Sequence, residues 1–193
     1  MKRMAIFCGS SAGSDAIYAT QARLLGSTLA KRNIGVVYGG ASVGLMGAVA
    51  DGALAAGGEV IGVLPTFLGS KEIAHDGLTT LIIVDSMHER KQRMHDLSDG
   101  FIALPGGFGT MEEFCEILTW GQLGLHAKPV GLLNTGGFYD GLLAFLDTAV
   151  SKGFLKDVNR RMIQVSDSID GLLEQMDTYV APVVGKWIRR EEV

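Results

Sequence analysis

The stretch "LPGGFGTMEEF", Leu104 to Phe114, holds the residues best spaced for chemistry. Gly106, Gly107 and Gly109 stand within four residues, after an apolar run and before helix-forming sequence. Backbone N–H groups at such a junction converge near a helix N-terminus that carries partial positive charge, which suits a phosphate. A second reading needs no ligand: Thr110 as N-cap, with Glu113 three residues on as its capping-box partner. That box does not require Gly at 106, 107 and 109, and residues without side chains suggest that something approaches the backbone closely. A carboxylate beside an anion cradle repels the anion unless it has work nearby, which singles out Glu113. A solvated face accounts for Glu116 and is one reading of Glu112.

A second constellation is "SMHERKQRMHDL", Ser86 to Leu97. At 100° per residue Met87, Arg90, Met94 and Leu97 share one stripe, with Lys91 on its flank. Arg90 either snorkels its head to water or points inward, where it needs an anionic partner such as a substrate phosphate or Glu113. The four histidines, His75, His88, His95 and His126, show neither metal-ligand spacing nor a serine-hydrolase arrangement, so no metal and no nucleophilic triad is expected. NTP hydrolysis and NAD binding also lose ground. The chain has no G-x-x-x-x-G-K-[ST], and "GSSAGS" after the first strand lacks the G-x-G-x-x-G spacing.

The elements that must position these residues alternate. Five apolar runs read as buried parallel strands: "MAIFCG" from Met4, "IGVVYGG" from Ile34, "EVIGVLP" from Glu59, "FIALPGG" from Phe101 and "PVGLLN" from Pro129. "TTLIIVD" from Thr79 is a sixth and "MIQVS" from Met162 a weaker seventh. Segments of helical period lie between them, at Ala16 to Arg32, Val43 to Ala56, Ser86 to Leu97, Met111 to Leu125 and Phe138 to Lys152. This predicts an α/β fold, a doubly wound, mainly parallel sheet of about seven strands with helices on both faces. Ligands in such folds bind at the carboxyl ends of the strands, where the glycine clusters fall. In "YGGASVGLMG", Gly44 and Gly47 serve either that purpose or close helix packing. The helix after Gly109 has an apolar stripe at Met111, Phe114, Cys115, Leu118 and Leu125, and further bulk at Ile117 and Trp120. A helix apolar on two faces is buried twice, which predicts a homodimer contact near Trp120 and Leu123.

With 193 residues, 47% hydrophobic, the chain suits a single domain over 1–193. The net charge of −4 and the scattered Lys and Arg argue against a nucleic-acid polymer or an acidic membrane as partner. Cys8 and Cys115 both fall in core-like runs, too few for a disulfide framework. No apolar run approaches the ~18 residues of a membrane span, and the first residues show no cleavable apolar segment. A cytoplasmic location is the expectation.

Taken together, "GGASVGLMG", "MHERK" and "PGGFGTMEE" resemble the LONELY GUY (LOG) family, the cytokinin-activating nucleoside 5′-monophosphate phosphoribohydrolases, whose mark is P-G-G-x-G-T-x-x-E. The match runs from "CGSS" through "LTWGQLG" and "KPVGLLN" toward the C-terminal helices. The resemblance implies a three-layer Rossmann-like sandwich, a single nucleotide-binding domain, a homodimer and no cofactor. It implies Arg90 and Glu113 as the catalytic pair, and it places Glu72, Arg90, Lys91, Gly106, Gly107, Phe108, Gly109, Thr110, Met111, Glu112 and Thr119 at the substrate. The one departure at the cradle is Phe108, where Tyr is common in plant members.

The implied reaction is hydrolysis of the N-glycosidic bond of AMP or its N6-modified forms. Glu113 would stabilise the oxocarbenium and activate water, and Arg90 would hold that carboxylate ionised. A nucleotide-sensing protein without turnover is the alternative. Family members have also carried the label lysine decarboxylase. That chemistry needs a Schiff-base lysine with partners for a pyridine ring, and the one lysine near the site, Lys91, has no such setting.

Overall fold

Seven short apolar runs become seven strands; the five inner ones are buried on both faces and need no polar alternation, whereas the edge runs at Thr80–Val84 and Ile163–Ser166 stay partly exposed. The computed structural model describes residues 1–68 and 74–182. In chain order the first half holds β1 (Arg3–Phe7), α1 (Ala16–Lys31), β2 (Gly35–Tyr38), α2 (Gly44–Ala55), β3 (Val60–Pro65), β4 (Thr80–Val84) and α3 (Met87–Leu97). The second half holds β5 (Gly100–Ala103), α4 (Phe108–Gln122), β6 (Val130–Leu133), a 3-10 turn (Thr135–Gly137), α5 (Asp140–Ser151), α6 (Asp157–Arg160), β7 (Ile163–Ser166) and α7 (Ile169–Asp177).

The strands form one sheet in the order β4-β3-β2-β1-β5-β6-β7, and every pairing is parallel. All seven expected strands are present. Apolar side chains of α1, α2 and α7 pack on one face of the sheet, and those of α3, α4 and α5 on the other. The result is a three-layer, doubly wound sandwich.

Strand order reverses between β1 and β5, which pair from Met4 with Gly100 to Phe7 with Ala103. A crevice opens beyond the carboxyl ends at such a reversal, because the two following loops leave toward opposite faces. Here they are tied together. The Leu104 N–H donates to the Phe7 carbonyl at 2.9 Å, and the Gly9 N–H donates to the Pro105 carbonyl at 3.0 Å. The buried Tyr139 hydroxyl donates to the Leu104 carbonyl at 2.6 Å, fixing the loop from below.

The helices differ from expectation in their ends and faces. Helix α4 starts at Phe108, three residues before the expected Met111, and a 3-10 turn precedes α5. The side of α4 that packs inward carries Thr110, Glu113, Phe114, Ile117 and Gly121. The expected stripe turns partly outward: Cys115 is exposed, and Met111 and Leu118 are half-buried.

Candidate active site

The start of α4 makes the first half of the site. Gly107 is the N-cap residue, with φ −97° and ψ −147°, and no side chain caps the helix. The first bond of the helix runs from the Met111 N–H to the Gly107 carbonyl, at 3.1 Å. That leaves the N–H groups of Phe108, Gly109 and Thr110 without partners inside the helix. Thr110 is therefore not the N-cap, and the capping box read into Thr110 and Glu113 does not form. Its buried hydroxyl folds back instead toward Gly106, where a Cβ would overlap it. A Cβ on Gly107 or Gly109 would meet nothing within 4 Å. Packing within the chain does not demand glycine at either position, so bare backbone faces open space.

Arg90 comes from the facing helix. Ser86 caps α3 by accepting from the Glu89 N–H at 3.1 Å, and Glu89 accepts from the Asp85 N–H at 2.9 Å. This S-x-x-E start is a capping-box-like entry that sets the helix register. Arg90 then points inward, 8% exposed, as its stripe implied, and the snorkelling reading fails. Its guanidinium lies on the backbone of Gly39 at the end of β2, where a Cβ would overlap Nη2. Nη1 contacts Met87 Sδ at 3.8 Å, and Nε is buried with no hydrogen-bond partner among the described residues. Among the described residues no carboxylate pairs directly with it. A buried guanidinium in that condition is short of an anion.

Glu113 faces Arg90 across the crevice without forming an ion pair. Burial pushes its carboxyl up to about 7, against the opposing pull of Arg90. The expectation that Arg90 would hold this carboxylate ionised is thus corrected: at 9% exposure desolvation outweighs an attraction that acts at longer range. Beside it the Cys8 thiol is buried and shifted upward, which leaves it protonated and without nucleophilic character.

Arg90, Glu113, Glu112 and the run Gly107 to Thr110 share one cavity of about 240 Å³. Cys8, Gly9, Ser10, Met46 and Met87 complete it. None of these five was expected at the site from the sequence, although "CGSS" at a strand end was a signal. Gly44, at φ +58°, sits where a Cβ would overlap the backbone of Ser10 and Ser11, so close packing demands glycine there, against the loop after β1 and not against a helix. Gly106 lines an adjoining, more apolar cavity of about 320 Å³ with Tyr18 and Phe138.

The remaining expected residues scatter. Phe108 projects into solvent at 97% exposure on the lip of the cradle. Lys91 is buried and donates from Nζ to Glu112 Oε1 at 2.5 Å and to Glu116 Oε1 at 3.0 Å. Glu116 is therefore not a simple solvated residue; its Oε2 is buried as well. Thr119 is exposed, bonds only its own helix through the Cys115 carbonyl at 2.8 Å, and lines neither cavity. Glu72 lies outside the described residues. Among the described residues no group of three His, Cys, Asp or Glu could hold a metal, and no helix is long and apolar enough to cross a membrane.

The family model described as "Possible lysine decarboxylase" matches residues 46–176. A cytokinin riboside 5′-monophosphate phosphoribohydrolase of Arabidopsis thaliana is 46% identical over 179 residues, 93% of this chain and 84% of that protein. A probable cytokinin riboside 5′-monophosphate phosphoribohydrolase of Oryza sativa subsp. japonica is 49% identical over 177 residues, 92% of this chain and 79% of that protein. The chain belongs to the LONELY GUY family. Among solved structures, the molybdenum cofactor carrier protein of Chlamydomonas reinhardtii superposes with a TM-score of 0.70 at 23% identity, over 92% of this chain and 98% of that one. At that identity the likeness is one of fold. The decarboxylase description finds no matching chemistry in this LONELY GUY site. Burial works against the Lys91 ammonium, but the bonds from Glu112 and Glu116 prevail and raise its pKa, whereas a Schiff-base lysine must offer a free amine.

Proposed function

We propose that the protein hydrolyses the N-glycosidic bond of adenosine 5′-monophosphate or its N6-modified, cytokinin-type forms, releasing the free base and ribose 5-phosphate. One relationship carries this reading: three amides without partners inside the helix and a buried carboxylate stand on the same helix. From Gly109 to Glu113 the helix rises about 6 Å, a span that matches a ribose between its 5′-phosphate and C1′. A phosphate on the amides of Phe108, Gly109 and Thr110 therefore brings the glycosidic carbon to Glu113.

Cleaving that bond builds positive charge on the ribose, which a carboxylate below the ring stabilises while it takes a proton from the attacking water. Arg90 supplies the fixed positive charge that orients the nucleotide. With a carboxyl near 7, Glu113 exchanges its proton at neutral pH, as a general base requires. The LONELY GUY relatives named as cytokinin riboside 5′-monophosphate phosphoribohydrolases support the cytokinin-type part of the reading. The resemblance also assigns Glu72, Met111, Glu112 and Thr119 to the substrate, and we retain them as candidates. The half-buried apolar residues of α4, with Trp120 and Leu123, suit a homodimer contact, and two unpaired cysteines suit a reducing cytoplasm. Sedimentation checks the dimer.

Incubation with AMP, isopentenyl-AMP, GMP, CMP and adenosine, followed by chromatography of base and sugar, tests the activity. Ribose 5-phosphate is expected from the adenine nucleotides, with adenosine reacting poorly. Calorimetric AMP binding without any product would make the protein a nucleotide sensor instead.

A further inference from the structure

Three carboxylates, Glu112, Glu113 and Glu116, crowd within little more than one turn of α4, next to a cradle meant for an anion. Like charges three and four residues apart on a helix repel, and a carboxylate free to swing at Glu112 would oppose a phosphate. The groups facing Glu113 are Arg90 and Lys91 from α3, Glu112 and Glu116 from its own helix, and the Cys8 thiol from the end of β1. Lys91 does not line the cavity, whereas Arg90 beside it does. Its ammonium is spent on two oxygens, at 2.5 and 3.0 Å, with the side chain only 9% exposed. A lysine suits this place because it acts as a point charge with three rotatable donors, able to serve two separate carboxylates at once.

We propose that Lys91 is a positioning residue rather than a substrate ligand: it binds Glu112 and Glu116 together, holding Glu112 away from the phosphate and leaving Glu113 to face the ribose without their repulsion. This role rests on the hydrolase reading of the same site. Removing the ammonium withdraws a positive charge from Glu113 and unmasks two negative ones. Both changes hold its proton more tightly, so the carboxylate needed for catalysis appears only at higher pH.

The test is the pH profile of AMP cleavage in Lys91→Met, Glu116→Gln and Lys91→Met/Glu116→Gln. In Lys91→Met the rising limb of kcat/KM is expected to move up by at least one pH unit, with KM at high pH within about threefold of wild type. Glu116→Gln, which keeps Lys91 and one of its two bonds, is expected to move the limb down. The double variant should lie between Lys91→Met and wild type. An unchanged limb with KM raised tenfold or more at every pH, and no recovery in the double variant, would make Lys91 a substrate contact and overturn the proposal. Should Lys91→Met fail to fold, Lys91→Gln, read by the same limb and KM criteria, decides. Titration of the Glu113 carboxyl by NMR in the same proteins reads the shift without turnover. If wild type releases no base, the hydrolase reading fails while the charge relationship is still judged by that titration.

Discussion

Gly39 and Arg90 are in direct contact, the guanidinium occupying the place that any Cβ on residue 39 would take. Gly39→Ala therefore has to move either the β2 end or Arg90, and Met46 Sδ, 3.0 Å from the same point, blocks sideways relief. Overpacking of this kind costs about 1–3 kcal/mol. The expected outcome is a fall of at least tenfold in kcat/KM on AMP, larger than any change in AMP affinity measured by calorimetry, because Arg90 is displaced from the reacting centre while the cradle stays whole.

Gly109→Ala separates stability from function in the other direction. Residue 109 is helical, and a methyl there meets nothing in the chain. Alanine in place of a helical glycine stabilises by about 0.5–1 kcal/mol, so the melting temperature should hold or rise. The methyl nonetheless enters the open space beside the amides, which the proposed phosphate would occupy. A KM for AMP raised tenfold or more, in a protein at least as stable as wild type, is the expected result from paired melting and kinetic measurements.

The pH dependence of Glu113 has opposite signs for rate and stability. As a base it must be ionised, so kcat/KM on AMP should rise with pH through about 7 and then level. Its folded carboxyl holds a proton more tightly than the ordinary value of 4.5, so the associated stability is full below 4.5 and is lost as pH rises through 7. That loss is of the order of 3 kcal/mol at most. Glu113→Gln should remove the rising limb, lower turnover by ~10²–10⁴, and melt above wild type at pH 8. Base release by the Glu113→Gln variant at the wild-type rate would remove this residue from the chemistry.

His126 contributes on the acid side. Its Nε2 is 2.8 Å from the Ile117 carbonyl and its Nδ1 accepts the Lys128 N–H at 3.1 Å, an arrangement that fixes a neutral ring at the end of α4. Burial lowers its pKa from 6.5 to about 4. Stability from this group is present above 6.5 and is lost as pH falls toward 4. In urea melts between pH 4 and 7, His126→Gln is expected to start lower than wild type and to show a shallower decline.

Much of this was readable in advance, and the failures share a cause. The five inner strands were legible because double burial leaves unbroken apolar runs, and the inward aim of Arg90 followed from its stripe. The start of α4 was misread because Thr110 and Glu113 match a capping box by type and spacing, while the loop leaving β5 hands the cap to Gly107. The inner face of α4 was misread because Glu113 stands where periodicity asks for an apolar residue. Cys8, Ser10 and Met46 carry no charge and lie far from Glu113 along the chain, so only the topology brings them to the site. The upward shift of Glu113 is a balance of desolvation against a distant guanidinium, and that distance has no sequence signature.

The reversal of strand order has a consequence for how the site can exist at all. Arg90 ends the half of the chain that builds β1 to β4, and Glu113 begins the half that builds β5 to β7, so neither half owns both partners. On the proposed mechanism, catalysis is a property of the seam. A chain severed between Leu97 and Gly100 would yield two fragments, each inert, and turnover would return only as they rejoin. The enzyme thus carries a built-in reporter of its own assembly.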